Sequence, residues 1–125
     1  MGKLNTKQVN NLMVGNSLAA EILPTSGDLR CFVVIGAYMI NENGSKTAVS
    51  KYLNAKNKEN CLFWLRKYEV RKEYIENDWD VTQDELVNEE FITDIKSIED
   101  LENELDKYLQ DYSRLDLEWR CDNPL

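Results

Sequence analysis

The most tempting chemical motif in the chain is Asp78-Trp79-Asp80-Val81-Thr82-Gln83-Asp84, with Glu89 in twelfth place counted from Asp78. Calcium loops of the helix–loop–helix type draw ligands from positions 1, 3, 5 and 12 and need glycine at position 6 for the sharp turn. Here position 6 is Gln83, and position 8, where an apolar residue normally packs, is Glu85. The match is what an acid-rich segment generates by chance, and no bound metal or other cofactor is expected. Catalysis by paired carboxylates is equally uninformative, because residues 76–125 hold 17 acids and almost any separation can be found among them. A glycosidase pair also needs a deep cleft around a desolvated acid, which so small a domain rarely offers.

The remaining chemistry is limited by what is missing. The sequence contains no histidine. That removes serine–histidine and cysteine–histidine nucleophile pairs and histidine-ligated metals. Cys31, Cys61 and Cys121 are widely spread and form no Cys-x-x-Cys pair, so reduced, packed thiols are the expectation. No glycine-rich phosphate loop is present; Gly36 and Gly44 stand alone. The chain does not read as an enzyme.

Charge is more informative. Twenty-three acidic against 15 basic side chains give a net charge of −8 over 125 residues. Such a protein repels bare nucleic acid and anionic membranes, so neither is expected as a direct partner. Residues 1–75 carry 11 basic and 6 acidic groups, a balance of +5, whereas residues 76–125 carry 4 and 17, a balance of −13. No basic residue falls between Lys72 and Lys96. A one-sided field of this kind steers an oppositely charged protein into contact. Within the stretch, Trp79 is flanked by Asn77, Asp78 and Asp80. It is either a plug folded back on the core or an interface anchor ringed by acids, the residue type that dominates binding energy. Tyr74 is a weaker candidate of the same kind. The expected partner-binding residues are Glu76, Asp78, Trp79, Asp80, Asp84, Glu85, Glu89 and Glu90.

The elements that must carry these residues follow from periodicity. Thr6 is expected to cap a first helix with Val9, Leu12, Met13, Leu18 and Ile22 roughly on one face, weakened at Gly15-Asn16 and ended by Pro24 and Ser26-Gly27. Leu29 to Ile40 is rich in β-branched and aromatic residues and reads as a buried strand carrying Phe32 and Tyr38. Asn43-Gly44 is a strong hairpin signal, so a 30–41/46–55 hairpin is expected, with Val49, Leu53 and Ala55 inward. A helix is expected from about Lys58 to Tyr68 with Leu62, Phe63 and Leu65 inward and Cys61 and Trp64 flanking. A strand is expected over Val70–Ile75 and another over Phe91–Ile95. Ser97-Ile98-Glu99-Asp100 is a capped helix start, and Leu101, Leu105, Tyr108 and Leu109 share one helical face. Leu115 to Trp119 alternates and reads as a last edge segment. The class is α+β, one domain spanning residues 1–125, with a small antiparallel or mixed sheet packed against helices.

The strand Phe91-Ile92-Thr93-Asp94-Ile95, the capped helix from Ser97 to Leu109 and the ending Trp119-Arg120-Cys121-Asp122-Asn123-Pro124-Leu125 resemble small bacterial immunity proteins. The similarity is greatest to those paired with contact-dependent growth-inhibition toxins, and it covers about the last 35 residues. It implies a monomer that binds a cognate toxin domain one to one and carries over no binding residue. Many such toxins are nucleases, whose substrate grooves are basic because they hold phosphates. An acidic patch covering that groove would neutralise the toxin in the cytoplasm, the location expected from an N-terminal stretch without a secretory signal and from the lack of a run of about 18 apolar residues. Two other readings stand beside this one: an acidic mimic of nucleic acid that inhibits DNA-handling enzymes, and a small metal-binding regulatory domain.

Overall fold

The computed structural model describes residues 3–40, 46–48, 61–77, 79 and 81–117. Along the chain run α1 (Thr6–Met13), β1 (Leu18–Ile22), β2 (Leu29–Ile40), β3 (Lys46–Ala48), β4 (Cys61–Arg71), α2 (Lys72–Glu76), β5 (Val87–Ile95), α3 (Ile98–Leu105) and β6 (Asp116–Leu117). The strands form one sheet in the order β5-β4-β2-β1-β6, with β3 also paired to β2, and every pairing is antiparallel. The class is α+β, as expected.

Strand side chains alternate between faces, and here both faces are covered. On the first face Val33 and Ile35 of β2 and Phe63 and Leu65 of β4 meet Leu12 of α1 and Leu101 and Leu105 of α3. Fully burying one such leucine contributes about 1.5–3 kcal/mol. On the second face Phe32, Val34, Tyr68 and Val70 are covered by Tyr74, Ile75, Val81 and Leu86 from the segment that follows β4.

Several expected elements take another form. The helix expected over Lys58–Tyr68 is β4: residues 61–68 are strand, with Cys61, Phe63 and Leu65 on the helix-covered face and Trp64 packed against the opposite cluster. A strand apolar on both faces reads as one continuous apolar run, which short-range periodicity does not separate from a buried helix. The strand expected over Val70–Ile75 ends at Arg71, and α2 begins where the Lys72 N–H donates to the Asp28 carbonyl at 3.0 Å. The first helix stops at Met13; Leu18 and Ile22 lie in β1, whose Leu18, Ala19 and Ala20 are all buried.

The cap of α1 is Asn5 instead of Thr6. The Asn5 side chain accepts from the Gln8 N–H at 2.8 Å while the Gln8 side chain accepts from the Asn5 N–H at 3.0 Å, a reciprocal capping box. Ser97 caps α3 as expected, accepting from the Asp100 N–H at 3.0 Å. The turn at Asn43-Gly44, residues 49–55 of the expected hairpin, and Trp119 through Leu125 lie outside the described residues.

Residues distant in sequence close the fold. Gln8 Nε2 donates to the Tyr112 and Leu115 carbonyls at 2.7 and 3.1 Å, the Leu4 N–H donates to Glu102 Oε2 at 2.8 Å, and Leu18 pairs with Leu117. Among the described residues no helix is long and apolar enough to cross a membrane.

Candidate functional site

The acid-rich stretch runs from α2, across the second face of the sheet, and out along β5, an edge strand. Tyr74 and Ile75 anchor α2 on the buried cluster of that face. The chain then turns so that the Trp79 N–H donates to the Tyr74 carbonyl at 2.8 Å. The Trp79 ring meets Tyr74 edge-on, centroids 5.5 Å apart, and remains 52% exposed. One edge of the ring therefore rests on a residue tied to the core, and the rest faces solvent. A 3-10 turn at Gln83–Glu85 follows, in which the Glu85 side chain accepts from the Thr82 N–H at 3.4 Å.

Of the eight expected residues, the six that are described do not all lie on one face of the sheet. Glu76 and Asp84 are exposed and Glu85 is half-buried; among the described residues no ion pair engages Glu76 or Asp84. Asp78 and Asp80 lie outside the described residues. Glu89 is held by Arg66 of β4 at 2.6 Å on the second face. Glu90 sits opposite Lys67 in register and accepts from the Tyr108 hydroxyl on the first-face side. The twelfth position of the calcium spacing is thus committed to an arginine.

The cation-free stretch of sequence also gains cations in space. Besides Arg66, Arg71 pairs with Glu73 at 2.7 Å, and Lys67 Nζ donates to the Asn88 carbonyl at 3.2 Å. The sequence places β4 in the basic part of the chain, and antiparallel pairing lays it alongside the acidic β5.

The Ser113 hydroxyl donates to Asp111 at 2.6 Å within a 3-10 turn, and the Thr25 hydroxyl donates to Glu69 at 3.0 Å. Burial pushes the Cys31 thiol up to about 11 and raises that of Cys61; Cys121 lies outside the described residues. Burial, reinforced by the Glu90 carboxylate, pushes the Tyr108 phenol up to about 12, and burial with Asp106 raises Tyr112 further. These hydroxyls stay protonated and serve as donors. Two open grooves of about 490 and 410 Å3, one along Ile22, Leu23 and Tyr108 and the other between Thr93–Lys96 and α3, hold no reactive pair. Among the described residues no group of three or more acids and cysteines is placed to hold a metal ion.

The chain matches no protein-family model, no curated protein and no solved structure.

Two residues of that surface were not expected. Trp64 and Phe91 stack with ring centroids 6.2 Å apart and planes 8° from parallel, and Phe91 is 56% exposed. Trp64 lies flat because its register partner is Gly36, where a Cβ would stand 2.5 Å from the indole. Reading β4 as a helix hides this pair. The alternation Glu89-x-Phe91-x-Thr93, which puts a large ring on the outer run of an edge strand, is the signal that could have found it.

Proposed function

We propose that this protein is a binding inhibitor: an immunity protein that captures a basic toxin domain, of nuclease type, and covers its active surface. The observation that carries the reading is Trp79, a half-exposed ring held edge-on by Tyr74, with exposed acids Glu76 and Asp84 before and after it in the chain. A rigid aromatic supplies desolvated contact area at small entropic cost, and surrounding carboxylates speed and orient encounter with a cationic surface. The similarity of residues 91–109 and the C-terminal segment to immunity proteins of contact-dependent growth inhibition supplies the class of partner. Such a partner would be met in the cytoplasm and bound one to one.

The mimicry of nucleic acid is less well supported, because it asks for carboxylates spaced along one face. Glu89 and Glu90 point to opposite faces and each already has a partner.

The test is capture of the toxin domain encoded immediately upstream, followed by its nuclease assay. Trp79→Ala should weaken the complex about 30-fold or more, the effect of losing a hot spot worth about 2 kcal/mol. Reversal of Glu76, Asp84 and Glu85 to lysine should lower the association rate and its salt dependence. Full inhibition by both variants would remove this surface from the binding site, and failure to capture or inhibit the toxin domain would remove the immunity reading.

A further inference from the structure

The chain that carries Trp79 leaves the sheet after Arg71 and rejoins it at Val87, the register partner of Glu69. Both ends of this excursion are held by one element, the loop between β1 and β2. At the outgoing end the Asp28 carbonyl accepts the Lys72 N–H at 3.0 Å, and the Ser26 hydroxyl donates to the Asp28 carboxylate. At the returning end Thr25 donates to Glu69 through its N–H at 2.8 Å and its hydroxyl at 3.0 Å. Asn88 Nδ2 donates to the same carboxylate at 2.7 Å.

Each end needs such a hold. Helix α2 has five residues, far fewer than an isolated helix needs to persist in water. Its Tyr74 supports Trp79 twice, through its carbonyl at 2.8 Å and through its ring. At the other end Asn88 sits in a bulge with φ 52°: between the pairs Lys67–Glu90 and Glu69–Val87, β5 carries one residue more than β4. Asparagine tolerates the left-handed region, and a bulge redirects the strand that carries it. The Asn88 amide that grips Glu69 therefore fixes the direction from which the chain returns to the sheet. Between the two ends Tyr74, Ile75, Val81 and Leu86 pack on the second-face cluster, each only partly buried.

We propose that the β1–β2 loop positions the Trp79 site, with Thr25 as the positioning residue. Its hydroxyl, through Glu69, holds the two ends of the excursion at the spacing in which Tyr74 supports the Trp79 ring. The link is continuous: from Thr25 along the loop to Asp28, from Asp28 to Lys72, and along α2 to Tyr74 and Trp79. That Trp79 binds a partner rests on the function proposed above; the mechanical link does not.

Amide hydrogen exchange of the intact chain, followed by NMR without any partner, reads the link at Asn77 and Trp79. Their N–H groups are bonded within the excursion to the Glu73 and Tyr74 carbonyls. Thr25→Val keeps the shape and the N–H and removes the hydroxyl bond to Glu69. It should speed exchange at both amides about 10-fold, the effect of losing one hydrogen bond to a charged acceptor. Thr25→Ser keeps the hydroxyl and should exchange at the parent rate. Thr25 is exposed, so both variants should fold. Gln8→Leu is the control, because it removes the bonds to the Tyr112 and Leu115 carbonyls on the first face. It should speed exchange in the β2–β4 ladder and leave Asn77 and Trp79 at parent rates, since local and global opening are separate events.

Parent rates at Asn77 and Trp79 in Thr25→Val, an equal acceleration in Gln8→Leu, or acceleration that persists in Thr25→Ser overturns the proposal. Acceleration in Thr25→Val beside failure to capture the toxin domain keeps the role of the loop and removes the proposed function. Capture and inhibition of the toxin beside unchanged exchange in Thr25→Val keep that function and remove the positioning role.

Discussion

Glu69 is the only fully buried carboxylate among the described residues, and its removal should be the most damaging polar change in the fold. Its oxygens accept from the Thr25 N–H at 2.8 Å, the Thr25 hydroxyl at 3.0 Å and Asn88 Nδ2 at 2.7 Å, with Lys67 Nζ 3.6 Å away. It therefore ties the loop after β1 and the start of β5 to β4. Hydrogen bonds to a charged group contribute about 1.5–3 kcal/mol each, though members of one network do not add. Glu69→Gln keeps the volume and one acceptor but turns an amide donor toward donors, for an expected loss of about 2–3 kcal/mol. Glu69→Ala also removes the carboxylate beside Lys67, leaving the Asn88 carbonyl to that ammonium, 12% exposed at its side chain, and should cost about 3–5 kcal/mol. Against a total of about 5–15 kcal/mol for a domain, the second change approaches unfolding.

The pH dependence follows from the same contacts. Burial alone raises the Glu69 carboxyl, but the Thr25 N–H, the Asn88 amide, the Thr25 hydroxyl and Lys67 outweigh it and hold it below its ordinary value of 4.5. A depressed folded-state value contributes stability that is complete above the unfolded value and lost as pH falls through the folded one. Urea unfolding of the parent and Glu69→Gln should thus differ most at neutral pH, and the difference should shrink below about pH 4.5. A difference under about 0.5 kcal/mol at pH 7, or one that stays constant down to pH 3, would refute this account of the network.

Three further outcomes are expected. Gly36→Ala puts a methyl into the Trp64 ring; it should cost about 1–3 kcal/mol in urea unfolding and alter the near-ultraviolet dichroism of the tryptophans. Gln8→Leu leaves the buried Tyr112 and Leu115 carbonyls without their Gln8 donor and dissolves the α1 capping box, lowering stability by about 2–4 kcal/mol and the melting temperature by roughly 3–5 °C per kcal/mol. With Cys121 changed to serine, thiol labelling of the native protein should proceed no faster than unfolding, because Cys31 and Cys61 are buried and their thiols are raised; fast labelling would contradict their placement.

What could be read in advance depended on how many faces an element buries. Strand β2 was legible because β-branched residues and a length of 12 admit little else, and α3 because a hydroxyl cap precedes leucines spaced by four. Strand β4 was not, since Cys61 through Leu65 is apolar at every position and satisfies helix and strand alike. The spacing of Leu18 and Ile22 fitted a helix just as well, and the break at Gly15-Asn16 was the better guide. The acid stretch was legible as composition, but its division between two faces and its arginine partners depend on the β4–β5 register. A helix over residues 58–68 leaves no such register to read. A tryptophan among acids is anomalous, so Trp79 stands out in the sequence, whereas a phenylalanine in a strand is not, so Phe91 does not.

The closure of the sheet by β6 bears on how the chain comes to be folded during synthesis. The long β2–β4 ladder and the β4–β5 pairing are complete once residue 95 is available. The outer edge of β1, the donors of Gln8 and the packing of Leu12 all wait for residues 101–117. A growing chain therefore holds its central ladder with one apolar face uncovered for the time needed to make about 20 further residues, on the order of 1–4 seconds at ordinary elongation rates. Contacts of such long sequence separation form slowly and leave apolar surface exposed meanwhile. Growth temperature and chaperone supply should accordingly govern the yield of folded protein more than its final stability does.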